Sequence, residues 1–195
     1  TWERGDTAGS ACGIFVFKGG TIRLKTRFLL LAALLGGLTI FFWGALSHTL
    51  LEMPGALVPL KDGTSVINAI RSQAPNNGVY YDPRGLLAVV SLRPDMADKS
   101  QAMGANLAVE FVTNCLNALL LAFLLLKSRA RTTLACAWLG ALAGLLAFTG
   151  VSVSYWNWYG FSAGFALQDL GDTVIGWFLA GAAVACEVDG YHPVR

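Results

Sequence analysis

Three carboxylates interrupt long apolar runs in this 195-residue chain: Glu110, Asp169 and Asp172. Glu110 stands with Asn106, Asn114 and Asn117 at spacings of four, four and three residues, with Thr113 beside them, which places them on one face of a helix. Gln168, Asp169, Asp172 and Thr173 form a second cluster, and His48 and Glu52 stand four residues apart at the end of another apolar run. Groups of this kind are costly inside a membrane and ordinarily face the protein interior. Three carboxylates without an intramembrane Lys or Arg cannot all stay ionised at low dielectric. A shared proton, or a cation held by oxygen and imidazole ligands, is one chemistry that follows. The plainer alternative is adhesion, in which Asn, Gln and protonated carboxyls bond helices together at about 0.6 kcal/mol per contact. The candidate polar site is His48, Glu110, Asn114, Asn117, Asp169 and Asp172. No metal site is assigned, because its ligands would have to converge from three helices and neither H-E-x-x-H nor E-x-x-H occurs.

A second candidate is the aromatic stretch Ser154 to Phe161, with Tyr155, Trp156, Trp158 and Tyr159 as its site residues. Trp and Tyr favour the membrane interface, where the ring is apolar and the N–H or O–H stays wet. The stretch reads as an interfacial belt with a tight turn at Asn157 and Gly160; alternatively its rings line a lipid or quinone headgroup site beside Asp169. No P-loop, G-x-G-x-x-G, G-x-S-x-G or C-x-x-C is present, so no catalytic residue and no cofactor is assigned.

The elements that must position these residues follow from composition. Charged residues make up 13% of the chain, about half the share in soluble domains, which excludes an ordinary cytosolic domain. A net charge of +2 excludes a strongly basic nucleic-acid binder. A helix needs about 20 mainly apolar residues to cross a bilayer, and four such runs appear: 28–51, 104–126, 133–153 and 161–186. The expected fold is all-α, a four-transmembrane-helix bundle with a small extracytoplasmic helix-plus-hairpin insert at 52–103. A connection at 127–132, the aromatic outer loop at 154–160 and a cytoplasmic tail at 187–195 complete the plan. Residues 1–27 are read as a poorly ordered cytoplasmic segment, and the first span as an uncleaved signal anchor, too long for an h-region and followed by no A-x-A-like site.

Nine basic residues flank the spans on one side, and the other side carries five basic and five acidic ones. By the positive-inside rule both termini are cytoplasmic. At 1.5 Å per residue, Glu110, Asp169 and Asp172 then lie about 9, 12 and 16 Å below the outer surface, in one layer. In the insert, Thr64 to Gln73 reads as a short amphipathic helix with Thr64 as its N-cap. Val79 to Tyr81 and Leu86 to Leu92 read as strands joined by a turn at 82–85. Such a cap serves either as a lid or as a docking surface whose strand edges pair with a partner. Gly140 and Gly144, and Gly160 and Gly164, form G-x-x-x-G pairs where helices can approach closely.

Trp43-Gly44-x-x-Ser47-His48, Gly78-Val79-Tyr80, Tyr155 to Phe161 and Asp172-x-x-Ile175-Gly176-Trp177-Phe178-Leu179-Ala180-Gly181 carry a resemblance to a group of small bacterial four-span inner-membrane proteins with no assigned function. It covers about residues 28–185 and implies the four-span plan with its outer insert, but no activity. Three functions stay open. The leading one is a non-enzymatic accessory or interaction subunit of an envelope complex, partnered by the bilayer and by other membrane subunits and not by nucleic acid. The others are a proton-coupled carrier or ion-binding protein using the intramembrane carboxylates, and a membrane enzyme or quinone-binding or lipid-headgroup-binding protein.

Overall fold

A computed structural model describes residues 15–17, 20–22, 26–51, 53–93, 99–128 and 130–189. In chain order these form β1 (Phe15–Phe17), β2 (Gly20–Ile22), α1 (Thr26–Leu50), α2 (Gly63–Gln73), β3 (Gly78–Asp82), β4 (Leu86–Val90), α3 (Lys99–Lys127), α4 (Thr133–Tyr159) and α5 (Ala163–Asp189). Three of the helices are long and apolar enough to cross a membrane, over Arg27–Leu50, Met103–Lys127 and Thr133–Tyr159. Their lengths of 24, 25 and 27 residues correspond to roughly 36–40 Å, enough for a hydrocarbon core of about 30 Å. The protein is membrane-embedded through these helices. At 27 residues α5 is equally long, but Gln168, Asp169 and Asp172 interrupt its apolar run.

Four threonine hydroxyls inside the long helices satisfy themselves on their own backbone. Thr39, Thr49, Thr149 and Thr173 each donate to the carbonyl four residues earlier, which removes an unpaired polar group from apolar surroundings. The helix ends are capped by side chains and by one glycine. The Thr132 hydroxyl oxygen accepts from the Ala135 N–H at the start of α4, and Gly160 closes that helix at φ +67°, its N–H on the Tyr155 carbonyl. Nothing before Gly160 breaks the helix, so Asn157 is helical and residues 154–159 belong to α4. This corrects the expected 154–160 loop, whose aromatic rings signal an interface but not a turn.

The long helices run alternately up and down. α5 packs antiparallel against both α1 and α4 and also touches α3, while α1 packs antiparallel against α3. Small residues set these seams. A Cβ on Gly140 or Gly144 would collide with the Trp177 or Thr173 carbonyl oxygen, and one on Gly181 with the Cys136 carbonyl. The Gly140/Gly144 pair therefore acts as the sequence spacing implies. Gly160 instead caps α4, and Gly164 lies against the backbone of Pro54 to Ala56. The fully apolar core sits at the end of the helices away from the insert, around Phe28, Ala32, Leu121, Leu125, Cys136 and Val184.

The insert holds α2 and an antiparallel hairpin, in which Val79 faces Val89 and Tyr81 faces Leu87. The N-cap of α2 is Asp62 and not Thr64: its carboxylate accepts from the Ser65 N–H and Ser65 hydroxyl at 3.1 and 2.6 Å. The Ser65 hydroxyl and amide hold that carboxyl below its usual range. At the hairpin turn, the Arg84 guanidinium and Arg84 N–H likewise hold Asp82 low, and Gly85 takes φ +104°. β4 ends at Val90, two residues short of the expected strand, and the Leu92 N–H donates instead to the Asn77 side chain at 2.6 Å. Residues 1–14, expected to be poorly ordered, lie outside the described residues. Part of the same N-terminal segment, β1 and β2, pairs as an antiparallel hairpin.

The glycine seam gives a direct test. Gly140→Ala places a methyl against the Trp177 carbonyl, whereas a Cβ on Gly150 of the same helix meets nothing within 4 Å. In denaturant titrations of the detergent-solubilised protein, Gly140→Ala is expected to destabilise by about 1–3 kcal/mol. Gly150→Ala is expected to be neutral or to stabilise by up to about 1 kcal/mol.

Candidate functional site

The polar residues gather near the end of the helices from which the insert emerges, but they divide among three seams. Between α1 and α5, Gln168 and Ser47 are buried, 6% and 3% exposed. The Gln168 amide N–H donates to the Ser47 hydroxyl, and its carbonyl oxygen accepts the Met53 backbone N–H at 2.7 Å. One side chain therefore ties α5 to α1 and to the loop that follows α1. Ser162 reinforces that loop by donating to the Gly55 carbonyl at 2.7 Å while accepting from the Phe165 N–H.

One turn along the same seam, His48 Nε2 lies 3.1 Å from Asp172 Oδ2. The imidazole is 64% exposed and the carboxylate 18%. The other oxygen, Asp172 Oδ1, is buried without a hydrogen-bond partner among the described residues, and so is Trp43 Nε1. The Trp43 ring packs over Gly176, where a Cβ would come within 3.0 Å of it. Gly176 is one turn from Asp172, so an unpaired donor and an unpaired acceptor lie on adjoining turns of one seam.

Asp169 faces the opposite way. Its Oδ2 accepts from the Ser152 hydroxyl of α4, and its backbone carbonyl accepts from Thr173 at 2.8 Å. On α3, Asn114 is buried and donates to Glu110 Oε1 at 3.1 Å within the same helix. Glu110 itself is exposed, and Asn117 is half-buried two turns along. At the start of that face Arg93 reaches the Asn106 oxygen at 3.5 Å. An edge-on contact of Phe41 and Phe111, centroids 5.8 Å apart, packs α1 against α3 beside these residues.

The six residues of the polar site thus spread along the helices, Asn117 standing next to Ala118 at the level of Gly36 and Val184, and of the six only His48 and Asp172 meet across helices. Each carboxylate has a different neighbour: Asp172 has His48, Asp169 has Ser152 and Glu110 has Asn114. Glu52 lies outside the described residues, and among those described no three His, Cys, Asp or Glu side chains gather as a metal site would require. The sequence marked Trp43 and Ser47 only through the resemblance, with no polar role for either, and did not mark Ser152. The signal that could have found them is their position: a hydroxyl or indole within a turn of each intramembrane ionisable group, on a helix that must pair with it.

The aromatic stretch forms the last turns of α4. Tyr155 contacts Tyr159 and Phe161 at centroid distances of 5.6 and 5.5 Å, and Phe161 stacks edge-on to Phe165 of α5 at 5.0 Å. Trp156 and Trp158 point outward, 51% and 75% exposed, while Asp169 turns inward to Ser152. The two tryptophans and the carboxylate therefore do not face a common space. No family model, curated protein or solved structure matches this chain.

The Gln168 bridge yields a measurable expectation. Gln168→Leu leaves the buried Ser47 hydroxyl and the Met53 N–H without their partners, a loss of about 1–3 kcal/mol. The substitution is expected to lower the unfolding midpoint in detergent and to speed hydrogen exchange at the Met53 amide, while the α3 amides around Asn114 exchange as in the wild type.

Proposed function

We propose that this chain is a four-span membrane protein of the bacterial inner membrane, with α5 as the fourth span and both termini cytoplasmic. We further propose that it acts as a non-enzymatic accessory or interaction subunit of an envelope membrane complex. The fourth span is supported by the length of α5 and by its place against α1, α3 and α4, where Gln168, Asp169 and Asp172 find partners from within the protein. The orientation is supported by the excess of Lys and Arg beside the termini.

The observation that carries the interaction reading is the division of polar and apolar surface on α4. Its polar and small residues, Ser152, Gly144 and Gly140, turn to α5. Leu134, Leu142 and Leu146 stand outward and exposed, and so does Trp158 beyond them, while Trp138 is exposed at the edge of this face with its ring edge-on to Phe178 of α5. A helix held mainly along one face leaves the other for lipid or for a neighbouring subunit. A photo-crosslinking residue in place of Leu142 tests this in native membranes: a discrete crosslinked protein at one mass is the expected product. Lipid adducts alone, together with purification of the chain by itself in mild detergent, would refute the reading.

A second reading, proton coupling, rests on the His48–Asp172 contact together with the unpaired Asp172 Oδ1. It requires that Asp172→Asn abolish pH-gradient-driven uptake or release of protons in proteoliposomes. Wild-type behaviour of Asp172→Asn combined with Glu110→Gln would sink it.

A further inference from the structure

The hairpin reverses the usual arrangement of a half-covered antiparallel pair, in which the outward face is polar. Residues paired across the strands share a face, so Val79, Val89, Tyr81 and Leu87 form one side. All four are apolar or aromatic and exposed: 56%, 53%, 75% and 38% respectively. The opposite side holds the covered positions, with Val90 buried and Tyr80, Asp82 and Ala88 half-buried. That covered side is fixed in place by the Tyr80 hydroxyl on the Asn76 carbonyl and by packing of β4 against α4. Large exposed apolar side chains grouped on one face mark a contact surface.

We propose that this face rests on the bilayer interface, on the leaflet at its own end of the helices, with phospholipid as its occupant. Four observations favour lipid over a protein. Exposed apolar side chains also mark the point where the chain leaves the membrane-embedded part: Leu50 and Leu51 at the end of α1, and Leu57 and Val58 in the loop beyond it. The hairpin is anchored on α4, whose final turns present Trp156 and Trp158, and aromatic residues of that kind settle at headgroup level. The amphipathic helix α2 has no buried residue, and its Val66 and Ile67 are exposed, so the described residues leave its apolar side uncovered as well. Four side chains are also far short of the roughly 800 Å² per partner that a stable protein interface takes, whereas a bilayer surface extends beyond the patch on every side. Residues 52–103 carry as many acidic as basic groups, so attachment is apolar and zwitterionic lipid suffices. The inference depends on membrane embedding of the helices and is independent of which subunits surround them.

The test places benzoylphenylalanine at Tyr81, or at Leu86 on the opposite face of the same hairpin, in the full chain reconstituted in phosphatidylcholine nanodiscs at one copy or two copies per disc. Leu86 is as apolar as its neighbours and 62% exposed, so it controls for hydrophobicity and access. Mass spectrometry after illumination is expected to give about tenfold more phospholipid adduct at position 81 than at 86, unchanged between low and high salt. Equal lipid adduct at both positions, no lipid adduct at 81, or a crosslink to a second copy at 81 would each overturn the proposal. Loss of the adduct at high salt would overturn its apolar, zwitterionic basis.

Discussion

A helix carrying Gln168, Asp169 and Asp172 can stand at low dielectric only where its neighbours return the hydrogen bonds that water would have made. This constraint organises the arrangement around α5. Ser47 and the Met53 amide answer Gln168, Ser152 answers Asp169 and His48 answers Asp172. These bonds leave in two directions, toward α1 and toward α4, so α5 has to lie between those helices. The chain order brings α4 beside α5 through a three-residue connection, whereas α1 arrives from more than a hundred residues away. The polar groups give that distant pairing a register which apolar side chains alone would leave looser.

Hydrogen bonds of this length need backbones that come close, and the small residues provide it. Gly140, Gly144 and Gly181 bring α4 and α5 nearly into backbone contact, and Gly37 does the same for α1 against Cys115 of α3. At the opposite end of the helices no polar group needs an answer, and buried Ala32, Ala122, Ala180 and Ala185 fill the space with Leu and Val. Short polar bonds at one end and alanine packing at the other are two ways of holding similar helices at similar spacing. Only the first places carboxylates and an imidazole in the seams.

Much of this could be read from the chain. Apolar runs ended by Pro54 and by the basic Lys127 to Arg131 marked the first three long helices, and the 82–85 turn between β-branched stretches marked the hairpin. Gly140 and Gly144 were visible as a packing pair. The partners were not visible. Asp169 and Asp172 lie one turn apart and look alike in sequence, yet one faces α4 and the other α1, because α5 is flanked on both sides. Asp62 outcompeted Thr64 as the cap through its two bonds to Ser65, a choice of two positions that spacing cannot resolve. The aromatic stretch 154–159 looked like a loop by composition, whereas its backbone follows the helix until the positive φ of Gly160 ends it.

The short connection between α4 and α5 also bears on the order of assembly. In the proposed four-span arrangement, a nascent α5 entering the bilayer alone would expose an amide and two carboxyl groups to hydrocarbon. α4 precedes it by only residues 160–162 and already carries Ser152 and the glycines that receive it. The two helices therefore suit entry as a hairpin, α4 shielding one side of α5 from the outset. The α1–α3 pair, made earlier, forms the surface on which that hairpin then docks. Gln168 and Asp172 remain without their α1 partners until this last step, so closure of the α1–α5 seam is the event that completes the hydrogen bonding of α5.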